Sequence, residues 1–165
     1  MGLFIIAIDI LTKYWTQTHL PNIYESLPTF PYGGIGFFQN FLGGIDFSWV
    51  LATNKGAAWG LGAEYQMALM VFRILLVIAI LFYALFYSNP KNDFGLTLVI
   101  AGALGNIIDF FVYGHVIDMF KFTFWGYHYP VFNVADSAVV GGAILLVALS
   151  LFGVDYDTPA RRADD

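Results

Sequence analysis

The sequence of 165 residues contains no cysteine, which excludes disulfides, thiolate catalysis and cysteine-ligated metal. Charge is also scarce: 12% of residues are Asp, Glu, Lys or Arg, against roughly 25% in a soluble domain. The basic residues form no stripe and the net charge is −5, so no nucleic acid is expected as a partner. Three histidines, His19, His115 and His128, lie far apart with no HExxH spacing, which argues against a zinc protease. No metal and no cofactor are expected. Internal repeats and low-complexity runs are missing as well. The first apolar stretch has neither a basic leading region nor a small-residue cleavage site, so a removable signal peptide is not expected.

What the chain has instead is apolar length. It is 59% hydrophobic with a mean hydropathy of +0.70, the composition of a multi-span membrane protein in one domain. Four stretches are candidate spans: 2–18, 67–87, 94–111 and 134–152. The first is short for the roughly 20 residues a span needs and contains Asp9 and Lys13. Residues 19–66 differ in kind, with Pro21, Pro28, Pro31 and paired glycines interleaved with Phe30, Tyr32, Phe37, Phe38, Phe41, Phe47 and Trp49. That mixture predicts turns and short strands at the membrane interface, where aromatic rings anchor. Residues 47–51 are the best strand candidate. The expected fold is an all-α membrane protein, a four-transmembrane-helix bundle with a small β-containing cradle over 19–66.

With four spans, 19–66 and 112–133 share one side of the membrane. The turn 88–93 and the tail after 153 share the other. Lys91, Arg161 and Arg162 crowd the short segments, whereas the long ones hold only Lys55 and Lys121. The denser side is cytoplasmic. The unusual polar residues then gather at the opposite face: Asp9 and Lys13, Asn54, Asn106 and Asp109, Asp118, Asn133 and Asp136.

A carboxylate near the hydrocarbon costs about 2.5–3.5 kcal/mol on insertion scales and is a functional candidate by default. Asp118 and Asp136 are the sharpest pair. Two close carboxylates hold one proton between them near neutral pH, the condition for activating water against an amide. Each has a plainer alternative. Asn133-x-x-Asp136 fits a helix N-cap followed by an acid, and Asp118 fits a solvated loop acid. Asn106 and Asp109 share a helix face and serve either a substrate carbonyl or helix packing. Ala101-xxx-Gly105 and Ser137-xxx-Gly141 are small-residue pairs that let the third and fourth spans approach. Asp9 and Lys13, four apart with the acid first, read as a structural pair. Asn54 and Gly56 open a small-residue loop able to meet an extended peptide closely.

Together, Asp9-x-x-x-Lys13, Asn54-x-Gly56-Ala57-Ala58-Trp59-Gly60, Gly105-Asn106-x-x-Asp109, Val116-x-Asp118 and Phe132-Asn133-x-Ala135-Asp136 resemble the lipoprotein signal peptidases, or signal peptidase II. The resemblance implies a bacterial inner-membrane aspartyl endopeptidase of four transmembrane helices, acting at the extracytoplasmic face. It implies diacylglyceryl-modified prolipoproteins as substrates, cut just before the lipidated cysteine, with membrane lipids as surroundings. By the same resemblance Asp118 and Asp136 are the catalytic aspartates. Asn54, Gly56, Asn106, Asp109, Asn133 and Ala135 shape the pocket or orient substrate, and Asp9 and Lys13 support the first helix. One departure is plain: the family's third-helix motif usually ends Asp-Arg, whereas Asp109 is followed here by Phe110. Arg73 and Lys55 are the candidate replacements. The competing reading is a small transporter or ion-conducting protein using the same carboxylates as a relay.

Overall fold

The computed structural model describes residues 1–56 and 62–152. Residues 57–60 of the loop motif and the tail from 153 lie outside the described residues. Four long helices, α1 (Gly2–His19), α2 (Gln66–Phe86), α3 (Asp93–Tyr113) and α4 (Val134–Phe152), accompany four strands. The strands are β1 (Ile35–Phe41), β2 (Ile45–Asn54), β3 (Val116–Phe124) and β4 (Tyr127–His128).

The helices are inside-out by the standards of a soluble protein. On α1 the fully buried residues are Asp9, Lys13 and Thr16, one polar stripe at helical spacing, while Leu3, Phe4, Leu11 and Tyr14 are exposed. On α2, Phe72, Leu75, Ile78 and Phe82 point outward. Apolar side chains facing out in such numbers need a hydrocarbon solvent, not water. Among the described residues, three helical segments are long and apolar enough to cross a membrane: Gln66–Phe86, Pro90–Tyr113 and Val134–Phe152.

Helix α3 is the hub and packs against α1, α2 and α4, while α2 and α4 flank it without packing extensively on each other. The third and fourth spans do lie side by side, and of the expected small residues Gly105 takes part, since a Cβ there would lie 3.1 Å from the Ala135 side chain of α4. A Cβ on Gly141 would touch nothing, and Ala101 faces Gly2 of α1. The close approach runs through Gly95 and Gly102 on α3 and Gly142 on α4. A Cβ on Gly142 would lie 2.7 Å from the Gly95 carbonyl. Gly141 lies one residue off the contacting face of α4, where Gly142 makes the approach instead.

The expected strand at 47–51 lies within β2, and the sheet extends beyond 19–66, with order β1-β2-β3-β4, all antiparallel. Asn54 and Asp118, expected in loops, are strand residues: Ala52 pairs with Asp118 and Asn54 with Val116. Aromatic rings of neighbouring strands stack across one face, Phe47 on Phe37 and on Phe122. The reason β3 begins where it does is local. Gly114, at φ 74°, caps α3 in the left-handed conformation, which stops the helix and turns the chain into the strand carrying Asp118.

Candidate active site

Three elements bring the carboxylates together. Strand β3 presents Asp118, α3 presents Asn106, and the start of α4 presents Asp136. Phe132 joins β3 by an isolated bridge, with its carbonyl accepting from the amides of Met119 and Phe120. That bridge sets Asn133 beside Asp118. The next residues form a capping box: the Asp136 amide donates to Asn133 Oδ1 (2.8 Å), and the Asn133 amide donates to Asp136 Oδ2 (3.2 Å). The capping alternative for Asp136 is thus present, and it positions the carboxylate instead of consuming it.

Asn133 Nδ2 donates to Asp118 Oδ1 at 2.8 Å and to Asn106 Oδ1 at 3.0 Å. Asn106 turns its own amide nitrogen to Asp136 Oδ1 at 2.8 Å. From the neighbouring strand β2, Asn54 Nδ2 donates to Asp118 Oδ2 at 3.1 Å. Each carboxylate therefore accepts two N–H groups, and Asn133 touches both. Asp118 is 3% exposed, which removes the solvated-acid alternative. Burial raises its pKa from the ordinary carboxylate range to about 7, with the neighbouring charge of Asp136 adding to the rise; the Asn54 and Asn133 amides oppose it.

Behind this layer lies a buried ionic knot. Lys13 Nζ meets Asp9 Oδ2 at 2.6 Å, Asp109 Oδ2 at 2.7 Å and Asn106 Oδ1 at 3.0 Å. Asp9 Oδ1 accepts from the Ala135 amide in the first turn of α4 (2.8 Å), a position where a helix favours negative charge. Asp109 accepts from the Ile117 amide (3.2 Å). The knot therefore ties α1 to α3, α4 and β3, a wider role than a pair confined to the first helix. Because Lys13 and Asn133 both donate to Asn106 Oδ1, the Asn106 carboxamide has one possible orientation, with its NH2 toward Asp136.

A cavity of about 800 Å³ opens over these groups, between α2, α3 and α4. That lies within the roughly 300–1,000 Å³ of small-molecule sites. Asn54, Gly56, Asn106, Asp118 and Asp136 line its polar end; Leu76, Val77, Ile80, Val99, Val140 and Ile144 line the apolar remainder. Asp109, Asn133 and Ala135 sit one layer behind the wall, fully or nearly fully buried. The backbone amides of Ile117 and Ala135 were not legible as participants, since a main-chain donor leaves no mark in residue type. Arg73, a lone cation in an otherwise clean apolar run, was the available signal for a further wall residue, and it lines the cavity.

Comparison with known proteins gives the family. The family model described as signal peptidase (SPase) II matches residues 1–152. The chain is 44% identical over 125 residues to a lipoprotein signal peptidase of Mycolicibacterium smegmatis, covering 72% of this chain and 52% of that protein. It is 37% identical over 164 residues to one from Mycobacterium avium (96% and 80%), and 37% identical over 145 residues to one from Clostridium acetobutylicum (86% and 84%). A bacterial membrane enzyme solved by the in meso method at 2.3 Å resolution has a similar fold, with a TM-score of 0.73, 27% identity and coverage of 99% of this chain and 90% of that one. By the family model and by these relatives, this chain belongs to the signal peptidase II family, the lipoprotein signal peptidases.

Proposed function

We propose that this membrane peptidase removes signal peptides from diacylglyceryl-modified prolipoproteins with an Asp118–Asp136 dyad, cutting before the lipidated cysteine. The reading carries four membrane spans, α1 completing the set, with the active site at the extracytoplasmic face of a bacterial inner membrane and the sheet lying over that face. The class of activity, lipoprotein signal peptidase, follows from family membership. The dyad rests on one observation above the others: Asn133 hydrogen-bonds Asp118 through its side chain and Asp136 through its backbone amide.

With the Asp118 pKa near 7, the pair carries one proton at neutral pH. The ionised carboxylate takes a proton from water as it attacks the scissile carbonyl, and the protonated one donates to the carbonyl oxygen. As the tetrahedral diol collapses, the proton taken from water passes to the leaving nitrogen and the C–N bond breaks. A diol hydroxyl returns its proton to the other carboxylate as the carbonyl re-forms, and the pair is restored with one proton. The fixed asparagine donors hold both carboxylates without reorganisation during the reaction. The apolar end of the cavity suits acyl chains, each buried methylene contributing about 0.8 kcal/mol. The gap between α2 and α4 suits a substrate arriving sideways from the bilayer. That same apolar lining argues against the transporter reading, because among the described residues no polar lining leads from the carboxylates toward the far leaflet.

The test is cleavage of a diacylated prolipoprotein followed by mass spectrometry. Asp118→Asn and Asp136→Asn are each expected to lose at least roughly a thousandfold in rate, as removal of a catalytic group does, with melting temperatures in detergent close to wild type. Cleavage at wild-type rate by both variants defeats the dyad.

A further inference from the structure

Arg73 is out of place. It lies in the third turn of α2, inside a span of mean hydropathy 2.7, where a guanidinium facing lipid is costly. It does not face lipid. Arg73, Leu76, Val77 and Ile80 form one stripe of α2, at spacings of three and four, and all four line the cavity. Arg73 is the first of that stripe, so the wall changes from cationic to wholly apolar within one helical turn. On the facing helices α3 and α4, Asn106 and Asp136 mark the polar end and Val99 and Ile144 the apolar one. Arg73 therefore stands at the level where a substrate's acyl chains give way to its peptide.

Its bonding leaves donors for a ligand. Arg73 Nη2 donates to the Gly56 carbonyl at 2.9 Å, and that is its only hydrogen bond to the described residues. A guanidinium has five N–H donors in a planar fork and is always charged. No carboxylate pairs with it among the described residues, although Asp118 and Asp136 share the cavity. Lys13 is fully buried and consumed by Asp9, Asp109 and Asn106, and Lys55, the other candidate replacement, is exposed and does not line the cavity. Nor can α3 supply a donor at Phe110, which packs into the apolar contact made by Met70, Val77 and Ile107 between α2 and α3.

Resting on the peptidase reading above, we infer that Arg73 is a substrate-binding residue, its guanidinium receiving a carbonyl oxygen of the substrate at the lipid–peptide junction. Gly56 holds one edge of the fork, and the other edge points at the bound molecule. Two carbonyls meet this description: the esters of the diacylglyceryl group and the peptide carbonyls beside the modified cysteine. Cation recognition of an sp² oxygen is common to both.

The experiment compares wild type, Arg73→Gln and Arg73→Lys on two synthetic prolipopeptides, one carrying ester-linked chains and one carrying ether-linked chains of equal length without those carbonyls. Arg73→Gln is expected to lower kcat/KM on the diester substrate by roughly 10- to 100-fold, the worth of a charge-assisted hydrogen bond. KM should carry most of the loss, Arg73→Lys should recover part of it, and the melting temperature should not move. A loss confined to the diester assigns the ester carbonyl; an equal loss on both assigns the peptide carbonyl. Wild-type kcat/KM for Arg73→Gln on both substrates overturns the inference. So does an equal loss with a lowered melting temperature and no rescue by lysine, the pattern of an arginine that only anchors Gly56. Failure of the peptidase reading looks different, because wild type itself would then leave both substrates uncut.

Discussion

At the scale of single residues, the site is governed by where protons and amide hydrogens sit. Asp118 has an unfolded pKa near 3.8 and a folded one near 7, so the folded state binds the extra proton between those values. Its contribution to stability is present below about pH 4 and fades as pH rises through 7. Thermal unfolding in detergent from pH 5 to 8 should show a fall that Asp118→Asn lacks. Cleavage should decline above about pH 7, as the shared proton is lost. Asn54 favours the ionised form of Asp118 through its side-chain bond. Asn54→Ala should therefore move the alkaline limb of the kcat profile upward while lowering its height. Lys13 obeys a harsher rule, since it neutralises two buried carboxylates at once. Lys13→Met should cost about 3–5 kcal/mol, as removal of one member of a buried ionic group does. Asp9→Asn should cost less, because Lys13 keeps Asp109. Denaturant or thermal unfolding of the two variants decides the order.

Between elements, distance is set by glycine. Gly102 lets the first turn of α4 lie directly on α3: a Cβ there would run into the Ala135 carbonyl, with the Val139 amide at 3.1 Å. Ala135 adjoins Asp136, so the helix contact and the geometry of the proposed dyad are one constraint. Gly102→Ala should destabilise the protein by about 1–3 kcal/mol through overpacking. It should also lower cleavage by more than the folded fraction accounts for, since Asp136 moves with the backbone. Gly141→Ala, at a position with open space, is the matched control and should leave the melting temperature within a degree or two. Strand registry acts in the same way on the other side of the site. The Ala52–Asp118 pairing places Asn54, two residues along β2, within reach of the carboxylate.

Over the whole molecule, the apolar exteriors of α2, α3 and α4 require a bilayer, and the sheet must then lie at one face of it. The absence of cysteine makes this directly testable, because any introduced thiol is unique. Gln39 in β1 and Lys91 in the turn between α2 and α3 are both exposed. Gln39→Cys should react with a membrane-impermeant maleimide added outside intact spheroplasts, and Lys91→Cys only after the membrane is opened. Labelling of both from the same side would contradict the four-span arrangement.

Much of this molecule was legible without coordinates, and the reason is chemical. Long apolar runs have few physical solutions, and a carboxylate within one is too costly to be incidental. Asp118, Asp136, Asn106 and Lys13 could thus be singled out by residue type alone. The strand nature of Asn54 and Asp118 could not. Their pairing joins segments some sixty residues apart, and a short mixed stretch of aromatic and polar residues fits loop and strand equally. Nor could the phase of the α3–α4 contact, because spacing determines which residues share a face and not which face meets the neighbour. Composition and motif were enough to assign solvent and family to this chain. Only tertiary structure decided who touches whom: that Lys13 serves three acceptors, that Asn133 joins two carboxylates, and that Arg73 faces the cavity instead of lipid. Those contacts are long-range, and a hydrogen bond across the fold depends on distances that no local pattern records.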